Sequence, residues 1–412
     1  MAGREFFTVR TVAETLGGFR PVHRTAIETV ALHTARGRVP VEPVRAPHDL
    51  PGFAKATVDG YAVRAADTYG ASEGLPGYLD VVGAVAMGEP PSVDVGPGCA
   101  VAIPTGAVLP PGADAVVMVE HTQQTMPGTV EVVRPVAPGA GLVRADEDVA
   151  VGQLLAPAGR PLRAPDLGIL AAAGVTRLDV HARPVVGICS TGDEVVPPET
   201  AELAVGQVRD ATASALAGLV REAGGLPRGY GIVGDNRSDL ERVLRTAVAD
   251  CDIAVVSAGS SVGARDETAG AVERLGPPGI VCHGLAIRPG KPTLLAQSGQ
   301  VPVIGLPGNP LSALVVFRLV GMPLVRRVGG CTQPPPEPGV RARLARQVAS
   351  QTGRLDVVQV RLDRVDGQLV AHPLFGASAL LSVLTTAEGY AVVPEEATGL
   401  DAGTEVDVTL YR

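Results

Sequence analysis

What this sequence lacks narrows its class before any motif is read. No two cysteines stand as C-x-x-C; the five, Cys99, Cys189, Cys251, Cys282 and Cys331, are widely spaced and odd in number. That argues against a zinc ribbon or a disulfide framework and suits small buried thiols in a reducing cytoplasm. No Lys/Arg cluster occurs in a chain of net charge -8, so the basic face of a nucleic-acid binder is missing. A small anionic ligand needs only a few local cations. The stretch "MAGREFFTVR" holds no apolar signal-peptide core. The longest apolar stretch, "VPVIGLPGNPLSALVVFRLVG", is interrupted by prolines, Asn309 and Arg318, so no membrane span is expected. There is no tryptophan, no internal repeat and no low-complexity tract.

What is present is glycine and proline, 51 and 36 in 412 residues, in a chain that is still 46% hydrophobic. Such a composition folds, with many short strands and tight turns. At one domain per roughly 150 residues, about two to four domains are expected.

Along the chain, helical signals occupy residues 8–16 and a strand is expected at 28–32. Residues 51–141 alternate short apolar runs with Pro/Gly turns, a β-rich unit. "APDLGILAAAG" is a short helix with Pro165 in its first turn and Gly174 at its C-terminal cap. From 181 to 328, strands alternate with helices, the pattern of a doubly wound α/β domain with a mostly parallel sheet. Ser238 and Glu241 have the spacing of a capping box for one of its helices. Residues 329–412 are a small β domain with Asp366-Gly367 at a hairpin.

In open α/β sheets ligands bind beyond the carboxyl ends of the strands. "VVSAGSSVGARD" (255–266) ends a strand there in small residues followed by Asp266. Small residues let backbone N–H groups approach an anion. The loop is neither a Walker A nor G-x-G-x-x-G, and taken alone a tight turn explains it equally well. Other strand ends add to it. "GICSTGDE" ends in Ser190, Thr191, Gly192, Asp193 and Glu194; "YGIVGDN" reaches Asp235; "VIGLPGNP" reaches Pro307, Gly308 and Asn309. Each acid alone is explained by a cap or turn. Glu194, Asp235 and Asp266 on one rim would repel one another unless a cation such as Mg²⁺ lay between them. "IRPGKP" offers Arg288 and Lys291 in a stiff loop suited to an oxyanion. In the β-rich unit, Asp59, Thr105 and Arg144 stand at turns.

As a set, "DGYAV" (59–63), "PTGAVLPPGADAVVMVE" (104–120), "STGDE" (190–194), "SSVGARD" (260–266), "RPGKP" (288–292) and "GLPGNPLSA" (305–313) resemble the molybdopterin molybdenumtransferase family across nearly the full chain. Gephyrin carries a similar module.

The resemblance implies an elongated, four-domain subunit: residues 1–50 with 142–180, then 51–141, 181–328 and 329–412. It implies an Mg²⁺-dependent enzyme that inserts molybdate into adenylylated molybdopterin and releases AMP. It works as a homodimer in the cytoplasm, with molybdopterin adenylyltransferase and molybdoenzyme apoproteins as partners. The implied catalytic residues are Asp59, Thr105, Arg144, Glu194, Asp235 and Asp266, the last three on the metal. Thr105, Arg144 and Ser190 would hold molybdate. Thr191, Gly192, Asp193, Gly259, Ser261, Gly263, Arg288, Lys291, Pro307, Gly308 and Asn309 would grip pterin and nucleotide. The alternatives are a molybdopterin adenylyltransferase, which needs only residues 181–328, and a non-catalytic paralogue that binds pterin or a partner.

Overall fold

A computed structural model describes residues 9–19, 23–257 and 262–411, with backbone only for 262–266. It falls into two compact units: Met1–Glu42, Ala158–Arg163 and Arg177–Arg412 in one, Pro43–Pro157 and Ala164–Thr176 in the other. This division is coarser than the four domains expected from sequence.

The larger unit is built on a six-stranded sheet. Its order is Leu226–Val233, Val185–Thr191, Ile253–Ser257, Val301–Leu306, Leu294–Ser298, Pro278–His283. The first four strands pair in parallel, and the last two pairings, on either side of Leu294–Ser298, are antiparallel. The central strands are buried almost without interruption, as expected where helices cover both faces. Alternate residues separate accordingly. Ile253, Val255 and Ile304 join Leu216, Val220 and Val316 in one core. Ala254, Val256 and Val303 join Leu240, Leu244 and Val272 in the other.

Helix starts follow local chemistry. Asp210 caps Ala211–Glu222 by accepting from the Ala213 amide at 3.0 Å. The capping box expected from Ser238 and Glu241 is not formed. Asn236 caps Arg237–Asp250 instead, accepting from the Ser238 amide and hydroxyl at 2.9 and 2.7 Å. Glu241 pairs with Arg245 and Arg274 at 2.7 and 3.3 Å, because an Asx side chain two residues earlier already satisfies the exposed amide.

The C-terminal strands close on themselves. Leu355–Val365 pairs with Gln368–Pro373 on one side and Gly389–Val393 on the other, and Gly339–Leu344 and Glu405–Leu410 complete the ring. Asp366 and Gly367, at φ 50° and 81°, make its two-residue hairpin turn. Ile287–Arg288 adds to this sheet by parallel pairing with Leu355–Asp356.

The smaller unit centres on a six-stranded sheet ordered Ala115–Met118, Gly60–Val63, Cys99–Ile103, Gly77–Ala84, Thr129–Val132, Thr122–Met126. Gly60 lies so close to its neighbour that a Cβ would stand 1.9 Å from the Val117 carbonyl oxygen. Both clashing partners are backbone, so the sheet itself must move. Gly60→Ala is therefore expected to cost about 2 kcal/mol or more, read as a lower Tm in thermal unfolding. An unchanged Tm would show that the strands separate freely there.

Candidate active site

Four strands of the α/β sheet end at the same carboxyl edge. Ser190 is in register with Ser257, Ser257 with Leu306, and Thr191 with Val233. The chain beyond each strand therefore departs at one level, as expected for a ligand-binding edge. Gly192 turns the first loop at φ 140°, where a Cβ would stand 2.7 Å from Glu194 Oε2. Asp193 Oδ1 accepts from the Asp235 amide at 3.1 Å, which ties the first loop to the second.

Asp235 lies within electrostatic reach of Asp193 and Glu194. Partial burial, then the charges of Asp193 and Glu194, hold the Asp235 carboxyl above its ordinary pKa. Among the described residues no three His, Cys, Asp or Glu side chains form a metal-binding set. Asp266 and Gly263 lie on the helix Val262–Glu273, and the side chain of Asp266 is outside the described residues, as are Gly259 and Ser261. That helix is joined to Arg237–Asp250 by an ion pair between Arg237 and Glu267 at 2.5 Å.

Beneath the rim lies a hydroxyl network. Ser190 is 2% exposed, and its Oγ donates to Asp210 Oδ2 at 2.6 Å. Ser257 Oγ donates to Ser190 Oγ at 3.3 Å, and Thr191 Oγ1 to the Ser257 carbonyl at 3.3 Å. Ser190 and Thr191 thus fix the strand ends from inside. Asp210, missed in the sequence, both caps a helix and anchors this network. Its legible signal was the cap position in "RDATAS".

The segments Arg288–Pro292 and Pro307–Asn309 open into a cleft of about 860 Å³ shared with the C-terminal strands. Arg288, Lys291 and Arg354 line it against one carboxylate, Asp356. Asp356 is 4% exposed. Arg354 grips it through Nε and NH2 at 2.8 and 3.3 Å, and Arg288 approaches at 3.7 Å. Gly290, at φ 122°, packs where a Cβ would stand 2.4 Å from Val316 Cγ2. Asn309 precedes a helix opened by Pro310, but its side chain makes no cap. Its Nδ2 donates to Ser378 Oγ at 2.8 Å instead. Arg354, Asp356 and Ser378 escaped the sequence reading, although an Arg–Asp pair at the head of an apolar strand, "GRLDVV", was a visible anomaly.

In the smaller unit Asp59 and Thr105 meet. Asp59 Oδ1 accepts from the Thr105 amide at 2.7 Å and its hydroxyl at 2.8 Å, and these bonds hold the Asp59 carboxyl below its ordinary pKa. Arg144 is tied to Glu147, whose Oε2 accepts from the Arg144 amide at 2.9 Å and lies 3.7 Å from Nε.

Comparison with known proteins follows the same layout. The MoeA N-terminal region (domain I and II) matches residues 8–174, a probable molybdopterin binding domain matches 187–327, and the MoeA C-terminal region (domain IV) matches 341–411. An α/β domain of this type between those two regions defines an enzyme of molybdenum cofactor biosynthesis. Molybdopterin molybdenumtransferase of Nostoc sp. is 34% identical over 92% of this chain and 87% of its own. Molybdopterin molybdenumtransferase 2 of Mycobacterium tuberculosis is 34% identical over 97% of each. The crystal structure of a molybdopterin biosynthesis MoeA protein from Pyrococcus horikoshii aligns with a TM-score of 0.80 at 36% identity, over 98% of this chain and 100% of that one. The chain belongs to the molybdopterin molybdenumtransferase family and is a transferase.

The raised Asp235 carboxyl has a stability consequence. A carboxyl with an elevated folded-state pKa favours folding fully below the unfolded value, and the benefit is lost as pH rises through the folded value. Asp235→Asn is expected to raise Tm by about 1–2 °C near pH ~7, with the gain shrinking as pH falls through the carboxylate range. A gain independent of pH would rule out repulsion from Asp193 and Glu194.

Proposed function

We propose that this chain inserts molybdate into adenylylated molybdopterin and releases AMP. The observation that carries the reading is the cationic cleft: Arg288, Lys291 and Arg354 beside the carboxyl edge of the sheet that matches a molybdopterin binding domain. Both reactants are anions, so their approach is uphill until fixed cations and donors replace bulk water. Arg354 and Arg288 are oriented by Asp356, so their remaining N–H groups are presented to an oxyanion with little further ordering. The Ser312 and Ser378 hydroxyls on the same cleft can add neutral donors.

Asp59 and Thr105 supply a pre-formed donor–acceptor pair in the β-rich unit. Its carboxylate, kept ionised by two donors, is suited to hold a hydrogen-bond donor such as a water or a protonated oxyanion in place. Arg144 remains a candidate molybdate contact, and Thr191, Gly192, Asp193, Pro307 and Gly308 candidate pterin or nucleotide contacts. The donor chemistry of the rim fits Mg²⁺: Glu194 and Asp235 are oxygen ligands close enough to repel. They would hold the ion, with Asp266 as a third candidate. The ion would neutralise phosphate charge. We further propose a homodimer in the cytoplasm that receives substrate from a molybdopterin adenylyltransferase and passes product to molybdoenzyme apoproteins. Five free cysteines suit that compartment. No helix among the described residues is long and apolar enough to cross a membrane.

Purified chain given adenylylated molybdopterin and molybdate is expected to release AMP. Arg354→Ala is expected to raise the KM for molybdate about tenfold or more, since a charged hydrogen bond of about 1.5–3 kcal/mol is lost, with Arg288→Ala as the more exposed companion. Pyrophosphate made from ATP and free molybdopterin would instead identify an adenylyltransferase. Wild-type KM in both variants would remove the cleft from the reaction.

A further inference from the structure

The cleft that carries the three cations has a second half to which the proposed reaction assigns no role. Its wall there is apolar, with Val348, Leu374, Phe375 and Val383. Phe375 is 58% exposed in a chain that has 6 Phe, 6 Tyr and no Trp. An aromatic side chain left open forfeits burial energy, yet this one is held in place. The Arg346 guanidinium lies over the ring, 4.7 Å from its centroid, and is itself fixed by donating from NH2 to the Pro373 carbonyl at 2.8 Å.

The short segment bearing the ring is anchored at both ends. Pro373 closes the strand Gln368–Pro373, and the Leu374 amide donates to the Gln359 carbonyl at 2.8 Å. On the far side Ser378 accepts from Asn309 through its hydroxyl and from the Leu311 amide through its carbonyl, at 2.8 and 3.2 Å. A ring fixed by a cation on one face, still largely exposed and lining a cleft, is a platform for a flat heterocycle. A cleft of about 860 Å³ accommodates a nucleotide-sized ligand.

We infer that Phe375 stacks on the adenine ring of the adenylyl group, whose phosphate shares the cations Arg288, Lys291 and Arg354 with molybdate. This deepens, and rests on, the reading of the cleft as the substrate site. It makes Phe375 a specificity-determining contact for the nucleotide half of the substrate.

The test compares AMP with ribose 5-phosphate, which keeps the phosphate and sugar and lacks the base, by calorimetry on the full chain. Wild type is expected to bind AMP about tenfold or more tightly than ribose 5-phosphate. Phe375→Ala is expected to erase that advantage while leaving ribose 5-phosphate affinity unchanged, and Phe375→Tyr to restore it. An AMP advantage that survives Phe375→Ala, or no AMP advantage in wild type, overturns the inference. So does a change confined to oligomeric state, which would make the apolar lip a subunit contact. Arg354→Ala separates the two readings, because it should weaken both ligands alike. If neither responds to it while Phe375 still governs the AMP advantage, the cationic reading and the phosphate contact fail together, and only the stacking of Phe375 on adenine stands.

Discussion

The carboxylate of Asp356, almost wholly buried between two guanidiniums, is the contact on which the account turns. A buried acid is tolerated only when paired and hydrogen-bonded, and Arg354 meets that need through two nitrogens while Arg288 approaches from a different part of the chain. One interaction therefore does three things. It joins the Arg288–Pro292 loop to the C-terminal barrel, it orients two cations toward the cleft, and it offsets the repulsion between them. The parallel pairing of Ile287–Arg288 with Leu355–Asp356 fixes the backbone under it.

Around that contact the molecule solves an electrostatic problem. The chain has a net charge of -8 and serves a family whose reactants are anionic. It concentrates cations locally at the cleft, and at the sheet edge burial and then the charges of Asp193 and Glu194 raise the cost of ionising Asp235. The hydroxyl chain from Thr191 through Ser257 and Ser190 to Asp210 holds the strand ends that carry those acids. Opposite charges along one sheet edge suit a substrate that presents phosphate to both a cation cluster and a divalent ion.

Much of this was legible in the sequence because local chemistry and global fold agree. Alternating strand and helix signals between 181 and 328 gave the α/β domain, and apolar runs ending in Gly, Ser and Asp marked the ligand edge. Asp59 and Thr105 were separately visible as turn residues, although nothing in their spacing foretold that they hydrogen-bond each other. The resemblance implies Ser190 as a molybdate contact; here its hydroxyl donates to Asp210, twenty residues later in the chain. Arg354 and Asp356 went unread because their role depends on a non-local strand pairing that no periodicity encodes. The capping box at Ser238 failed for a local reason, since Asn236 competes for the same amide.

The most direct test of the central claim is anomalous diffraction at the molybdenum edge from crystals soaked in molybdate. The account expects a peak within hydrogen-bonding reach of the Arg354 and Arg288 guanidiniums and the Lys291 ammonium, lost in Arg354→Ala. A peak elsewhere with that cleft empty, or one unmoved by Arg354→Ala, would contradict it.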